Sequence, residues 1–168
     1  MSRSDDTPGL YAEVRPVLLR YLTRLTGDAD AAEDFVQEAF VRLAERPPGD
    51  DRNIKGWLFT VATNLARDGL RTSRRRLVLV RGVGDRVSAD PPRDPSSGVE
   101  RAELRARVRR ALEGLSERER TALLMREEGF SHREIAEAVD TTTQSVGTLL
   151  ARALKKMAQR LSSEEAAS

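Results

Sequence analysis

A chain of 168 residues suffices for one ordinary domain or two small ones. Hydrophobic residues make up 39% and charged residues 33%, and the lack of any cysteine excludes a disulfide framework and thiolate metal ligands. The first residues show no charged-then-apolar leader and no apolar run nears the ~20 residues of a membrane span, so a soluble, cytoplasmic protein without membrane insertion is expected.

Residues 1–8 are polar, and three helical patterns follow. The first runs from about Leu10 to Leu25 and stops at Gly27, a natural left-handed terminator. The second opens at Asp28 and Asp30, carries Phe35, Val36, Ala39, Phe40 and Leu43 at helical spacing, and ends before Pro47-Pro48-Gly49. The third starts near Asn53 and passes through Trp57, Leu58, Val61, Ala62 and Leu65 into Arg71 and Arg74–Arg76. Its spacing places Trp57 with Val61 in the core and leaves Phe59 off that face, open to a base or a partner. Residues 8–76 are therefore expected to form a three-helix bundle.

From 77 to 98 the periodicity fails, and Pro91, Pro92, Pro95, Ser96, Ser97 and Gly98 mark a linker. A structureless stretch of that length argues for two domains rather than one. The second is expected over 99–162. One helix runs from about Val99 to Gly114, Ser116 with Glu119 makes a capping box for the next, and Gly129 ends it. Ser131 with Glu134 makes another box for a short helix through Val139, and Asp140-Thr141-Thr142 turns the chain into a last helix ending near Leu161. No strand pattern appears. The expected fold class is all-α, as two small helical domains joined by a flexible linker.

Three exposed faces carry possible chemistry. The segment from Ser131 to Met157 is shaped like a helix-turn-helix, with Ile135, Ala136 and Val139 facing Val146, Leu150, Ala153, Leu154 and Met157. Its opposite face presents Gln144, Thr148, Arg152 and Lys155, a set suited to base edges at the helix start and to phosphates beyond. Any helical hairpin can show the same pattern. On the third helix Thr60, Asn64, Arg67 and Arg71 form one polar stripe, either a nucleobase-and-phosphate surface or a salt-bridged face in which Arg71 pairs with Asp68. Between Arg67 and Arg86 seven arginines stand against Asp68 and Asp85 alone, an excess that can neutralise phosphates or simply be solvated. On the second helix Asp34, Glu38 and Arg42 line an outward edge beside Gln37 and Val41. That edge suits docking on another protein's helices, or holds an intrahelical Glu38–Arg42 pair worth only ~0.3–0.5 kcal/mol. The single histidine, His132, makes no metal site or triad by itself, and neither cofactor nor metal is expected.

Three runs resemble the sigma factors of bacterial RNA polymerase, in the small extracytoplasmic-function group of the sigma-70 family. Asp30 to Leu43 (DAAEDFVQEAFVRL) is similar to the "DAEDLVQEAFLRLW" stretch of region 2.2. Trp57 to Asn64 (WLFTVATN), continuing through Asp68 and Arg71, resembles the "WLFRIARNLAxDxLR" stretch of regions 2.3 and 2.4. Leu115 to Arg120 (LSERER) and Phe130 to Val139 (FSHREIAEAV) resemble the start and first helix of the region 4 helix-turn-helix.

The resemblance implies that Asp34, Gln37, Glu38 and Phe40 dock on the β′ clamp helices of core RNA polymerase, whose β subunit is also a partner. It implies that Asn64, with Thr60, Arg67 and Arg71 on its stripe, reads the −10 element, where one base is flipped out at a cost of a few kcal/mol. The loop from about Arg46 to Asn53 would form the pocket for that base. The face of Gln144, Thr148, Arg152 and Lys155 would read the −35 element, and the linker would thread toward the RNA exit channel. Promoter DNA and a separate anti-sigma factor are the other implied partners, with catalysis left to the polymerase. The last helix departs from the usual "GTVKSRLxRAR": Gly147 and Leu149 replace two commonly basic positions and Leu154 a third, while Arg152 keeps its charge. Gly147 also costs roughly 1 kcal/mol of helix propensity against alanine. A −35 sequence different from the usual AAC-containing element is expected.

A freestanding helix-turn-helix regulator is the main alternative. It explains residues 116–161 equally well but not the ordered patterns of residues 28–76, and it predicts a dimer on a symmetric site. An enzyme is not expected, since no Gly-rich phosphate loop, His-rich ligand set or nucleophile motif appears. A helical adaptor is a further, weaker alternative.

Overall fold

A computed structural model describes residues 7–49, 53–79 and 98–167. The chain separates into two compact units at Ala89/Asp90, and the described residues hold seven α-helices and no strand.

The first unit comprises α1 (Thr7–Thr26), α2 (Ala29–Glu45) and α3 (Ile54–Leu79). Gly27 ends α1 at φ 73°, where an L side chain would be strained, and donates its N–H to the Thr23 carbonyl at 2.9 Å. Asp28 then caps α2, its carboxylate accepting the N–H groups of Asp30 and Ala31 at 3.0 and 3.1 Å. The buried residues of α2 are Ala32, Val36, Ala39 and Leu43, a stripe at spacings of four, three and four. They face Val14, Leu18, Leu22 and Leu25 of α1, while Tyr21 lies 4.9 Å from Phe59 of α3, ring centre to ring centre. Gly69 lets α3 approach α2 closely, because a Cβ there would stand 2.6 Å from the Phe35 ring.

The buried face of α3 differs from the expected one. Phe59 is fully buried together with Leu58, Ala62, Thr63 and Ala66, whereas Trp57, Val61 and Leu65 are only half-buried. The helix is turned by about one residue from the orientation that its largest apolar groups suggest. It packs against both α1 and α2 and so buries a wider arc than a single stripe. Phe59 is accordingly a core residue and not a contact for a base or partner. The helix also continues through residues 77–79, beyond its expected end. The rest of the expected linker, residues 80–97, lies outside the described residues, as do residues 50–52 of the expected base pocket.

The second unit comprises α4 (Val99–Glu113), α5 (Glu117–Glu127), α6 (His132–Val139) and α7 (Thr143–Ala166). Both capping boxes are formed: Ser116 and Ser131 accept the backbone N–H of Glu119 and Glu134, and each glutamate accepts its serine's N–H at 2.9 Å. Asp140 takes the left-handed conformation at φ 54° to close α6, and Thr142 caps α7 by accepting the Ser145 N–H at 3.2 Å. The core joins Leu112, Leu115, Met125 and Phe130 to Ile135, Val139, Val146, Leu150 and Ala153.

Two expectations for α7 need correction. Leu154 is 57% exposed, because it stands one position around the helix from buried Ala153, and Met157 is only half-buried. The helix also runs five residues past Leu161, to Ala166. Its last turn is held by ion pairs rather than apolar contacts. Arg110 grips the Glu164 carboxylate with two hydrogen bonds at 2.9 and 3.1 Å, while Arg107 lies 3.4 Å from Glu165 and donates to the Leu161 carbonyl at 3.1 Å.

Candidate nucleic-acid interface

The α3 stripe begins with a cap: the Asn53 side chain accepts the Lys55 N–H at 3.1 Å. Thr60 is half-buried and its hydroxyl donates to the Gly56 carbonyl at 3.0 Å, so it is committed to its own helix. Asn64 and Arg71 are exposed and Arg67 is half-buried. Among the described residues no ion pair joins Arg71 to Asp68. Directly beneath the stripe, the hydroxyls of Thr63 and Tyr21 share a 2.7 Å hydrogen bond within the core. Burial pushes the Tyr21 phenol well above its ordinary pKa, opposed by the Thr63 hydrogen bond and by the charge of Arg67.

On α2 the structure separates the four docking candidates. Asp34, Gln37 and Glu38 are exposed and share a ridge with Val41, which is 49% exposed. Phe40 instead turns toward α1 and meets the Tyr11 ring edge-on, 4.7 Å between centres at 62°. Glu38 accepts from Arg42 Nε at 3.0 Å, so the intrahelical pair is present on the same ridge. Tyr11 was not legible as part of this surface. It is 41% exposed, lies under the Arg15 guanidinium at 5.9 Å, and Arg15 in turn pairs with Glu33 of α2.

On α7 all four candidates, Gln144, Thr148, Arg152 and Lys155, are exposed. Thr148 and Arg152 line a shallow concavity with Thr141, Ser145, Leu149 and Arg118. Arg118 comes from α5, and its guanidinium donates to the Asp140 carbonyl at 3.4 Å, against the turn of the helix-turn-helix. Two guanidiniums and three hydroxyls around one hollow suit a phosphate oxygen. Only a fold that packs α5 beside α7 brings Arg118 there, so nothing in its local sequence signals it. The setting of α7 is fixed by an ion pair to a buried carboxylate. Glu119, 2% exposed, accepts from Lys156 Nζ at 2.8 and 2.9 Å. Desolvation pushes the Glu119 carboxyl up, but the Lys156 and Ser116 hydrogen bonds outweigh it and hold its pKa below the ordinary value. Among the described residues no cluster of metal-ligating side chains occurs, and no helix is long and apolar enough to cross a membrane.

Residues 10–76 match Sigma-70 region 2 and residues 105–157 match Sigma-70, region 4. The ECF RNA polymerase sigma factor SigL of Mycobacterium tuberculosis is 38% identical over 160 residues, covering 90% of this chain and 88% of SigL. SigG of the same organism is 34% identical over 169 residues, covering 85% of this chain and 45% of SigG. The chain spans about half the length of SigG and of the probable sigma factor SigI. The same fold occurs in the sigma factor RpoE from Bartonella quintana, solved in complex with the anti-sigma factor NepR (TM-score 0.79, 24% identity, 94% of this chain and 97% of that one). It occurs also in CnrH, solved with the cytosolic domain of CnrY (TM-score 0.69, 22% identity, 96% and 91%). Matched in order in both units, and covering SigL almost end to end, the chain belongs to the ECF group of the sigma-70 family.

Proposed function

We propose that this chain binds core RNA polymerase and directs promoter-specific initiation of transcription. The observation that carries the reading is the pairing of two separately packed helical units, each presenting an exposed polar helix face, in the order of regions 2 and 4. Residues 8–76 act as region 2, 77–98 as the linker and 99–162 as region 4. Asp34, Gln37 and Glu38 form the polymerase-docking ridge on α2, with Phe40 bracing it against Tyr11. Asn64, Arg67 and Arg71 read and hold the −10 strand, with Thr60 beside them. Gln144, Thr148, Arg152 and Lys155 read the −35 duplex. Nucleotide addition belongs to the polymerase, so the chain works in the cytoplasm as a non-enzymatic subunit without a cofactor. A separate anti-sigma factor would hold it inactive, as the complexes formed by RpoE with NepR suggest.

Run-off transcription of a genomic fragment library, with core polymerase and with or without the chain, tests this. Start sites that appear only with the chain are expected, preceded by two asymmetric promoter elements. An absence of new start sites, together with a dimer bound to a palindromic site, would overturn the reading in favour of a freestanding regulator.

A further inference from the structure

We infer that Tyr21 and Thr63 are positioning residues, a buried hydroxyl pair that fixes the rotation of α3 about its own axis and thereby aims Asn64 and Arg67. The inference rests on the proposed −10 role of that stripe and adds the device that orients it.

Thr63 and Tyr21 are each 1% exposed, and the hydrogen bond between them joins α3 to α1 across 42 residues of sequence. Among the described residues of the first unit, Thr63 and the Tyr21 phenol are the only buried side chains that carry a polar group. Between Ile54 and Ser73, the other buried side chains of α3 are Leu58, Phe59, Ala62 and Ala66. Apolar groups, alanines especially, tolerate small rotations because their attraction is non-directional. A hydroxyl pair does not: its strength falls steeply with angle, and a turned helix would leave two hydroxyls buried without partners.

The geometry couples this pair to the stripe. Thr63 immediately precedes Asn64, follows Thr60 by three residues and precedes Arg67 by four, so it forms the inner border of the same face. Side-chain tips lie ~5–6 Å from a helix axis, so turning α3 by about 20° would carry the Asn64 amide ~2 Å sideways. That distance exceeds the tolerance of a hydrogen bond to a base edge. The charge of Arg67 also acts on the Tyr21 phenol, which puts the two groups in one neighbourhood.

The test uses the full chain with core polymerase on a promoter found by run-off transcription, comparing Tyr21→Phe, Thr63→Val and Thr63→Ser. Three quantities are read: affinity for core polymerase, thermal midpoint of the free chain, and permanganate reactivity of the −10 thymines in the open complex. Tyr21→Phe and Thr63→Val are expected to lower open-complex formation about tenfold while core affinity stays within about twofold, and Thr63→Ser to stay near wild type. Open complexes at the wild-type level with Tyr21→Phe would overturn the inference. So would a loss of melting that only follows loss of core binding or of thermal stability, or a Thr63→Ser variant as defective as Thr63→Val. If the unaltered chain yields no start site, the failure belongs to the −10 reading itself.

Discussion

Replacing Lys156 by methionine removes the ammonium from a carboxylate that is almost completely out of solvent. Glu119 receives two contacts from Lys156 Nζ, at 2.8 and 2.9 Å, and one from the Ser116 N–H at 2.9 Å. Breaking a fully buried pair by taking one partner away costs about 3–5 kcal/mol. Two facts reduce that figure here. The Lys156 side chain is 41% exposed, so part of its attraction is screened, and the Ser116 bonds survive the substitution. A loss of ~2–3 kcal/mol is the expected result, or roughly 10–20 °C in the midpoint of a unit this small. The assay is thermal unfolding of the full chain, followed by far-ultraviolet circular dichroism and by fluorescence. Trp57 is the only tryptophan and lies in the first unit, so its signal should hold while the dichroism transition of the second unit moves.

The pH dependence gives a second readout on the same variant. The folded-state pKa of Glu119 is depressed, so its contribution to stability is present in full above the ordinary carboxylate range and is lost as pH falls through the lowered value. Without Lys156 the carboxyl titrates upward, and protonation relieves the buried charge. The gap between wild type and Lys156→Met should therefore be widest near neutrality and close under acid. A gap below about 0.5 kcal/mol at pH 7, or one that does not change with pH, would refute the reasoning.

Other substitutions probe other links. Gly69→Ala should destabilise the first unit by ~1–3 kcal/mol, since its Cβ would press into the Phe35 ring, and the Trp57 fluorescence midpoint would fall accordingly. Thr121→Val should stabilise the second unit by about 1 kcal/mol in urea unfolding, because the Thr121 hydroxyl is fully buried without a hydrogen-bond partner. Lys155→Ala in the reconstituted holoenzyme should weaken promoter binding evenly across −35 variants and reduce the slope of log affinity against log salt by about one. Gln144→Ala should instead relax the choice of base.

What could be read from the sequence follows from the range of the forces involved. Gly27, the Ser116–Glu119 and Ser131–Glu134 boxes and the Thr142 cap act within a few residues, and the helix boundaries they mark are where the sequence indicates. Which face of a helix is buried depends on its neighbours. Trp57 and Phe59 exchange places in the expected core of α3 because α1 and α2 both cover that helix, a fact absent from its own periodicity. Leu154 stands outside the core for the same reason, one position from buried Ala153. Helix α7 continues five residues past its expected end because Arg107 and Arg110, which secure that end, lie 54 residues upstream of the Leu161 carbonyl and Glu164. The polar stripes are legible in the sequence, since exposed residues need only the helical period. Their surroundings are not: Phe40 rests on Tyr11, and Arg118 joins Thr148 and Arg152, through contacts that only the packed units supply.

The clasp between α4 and the end of α7 bears on how the second unit should be excised for study. A fragment cut at residue 162, where sequence periodicity suggests a boundary, discards Glu164 and Glu165 but keeps Arg107 and Arg110. It loses two negative charges and uncovers two guanidiniums that are neutralised in the intact chain. Such a fragment should adhere to duplexes of any sequence more strongly than the parent, and its apparent selectivity for a promoter would be correspondingly blurred. A fragment carried through Ala167 keeps its own counter-charges and reports the selectivity of the native unit.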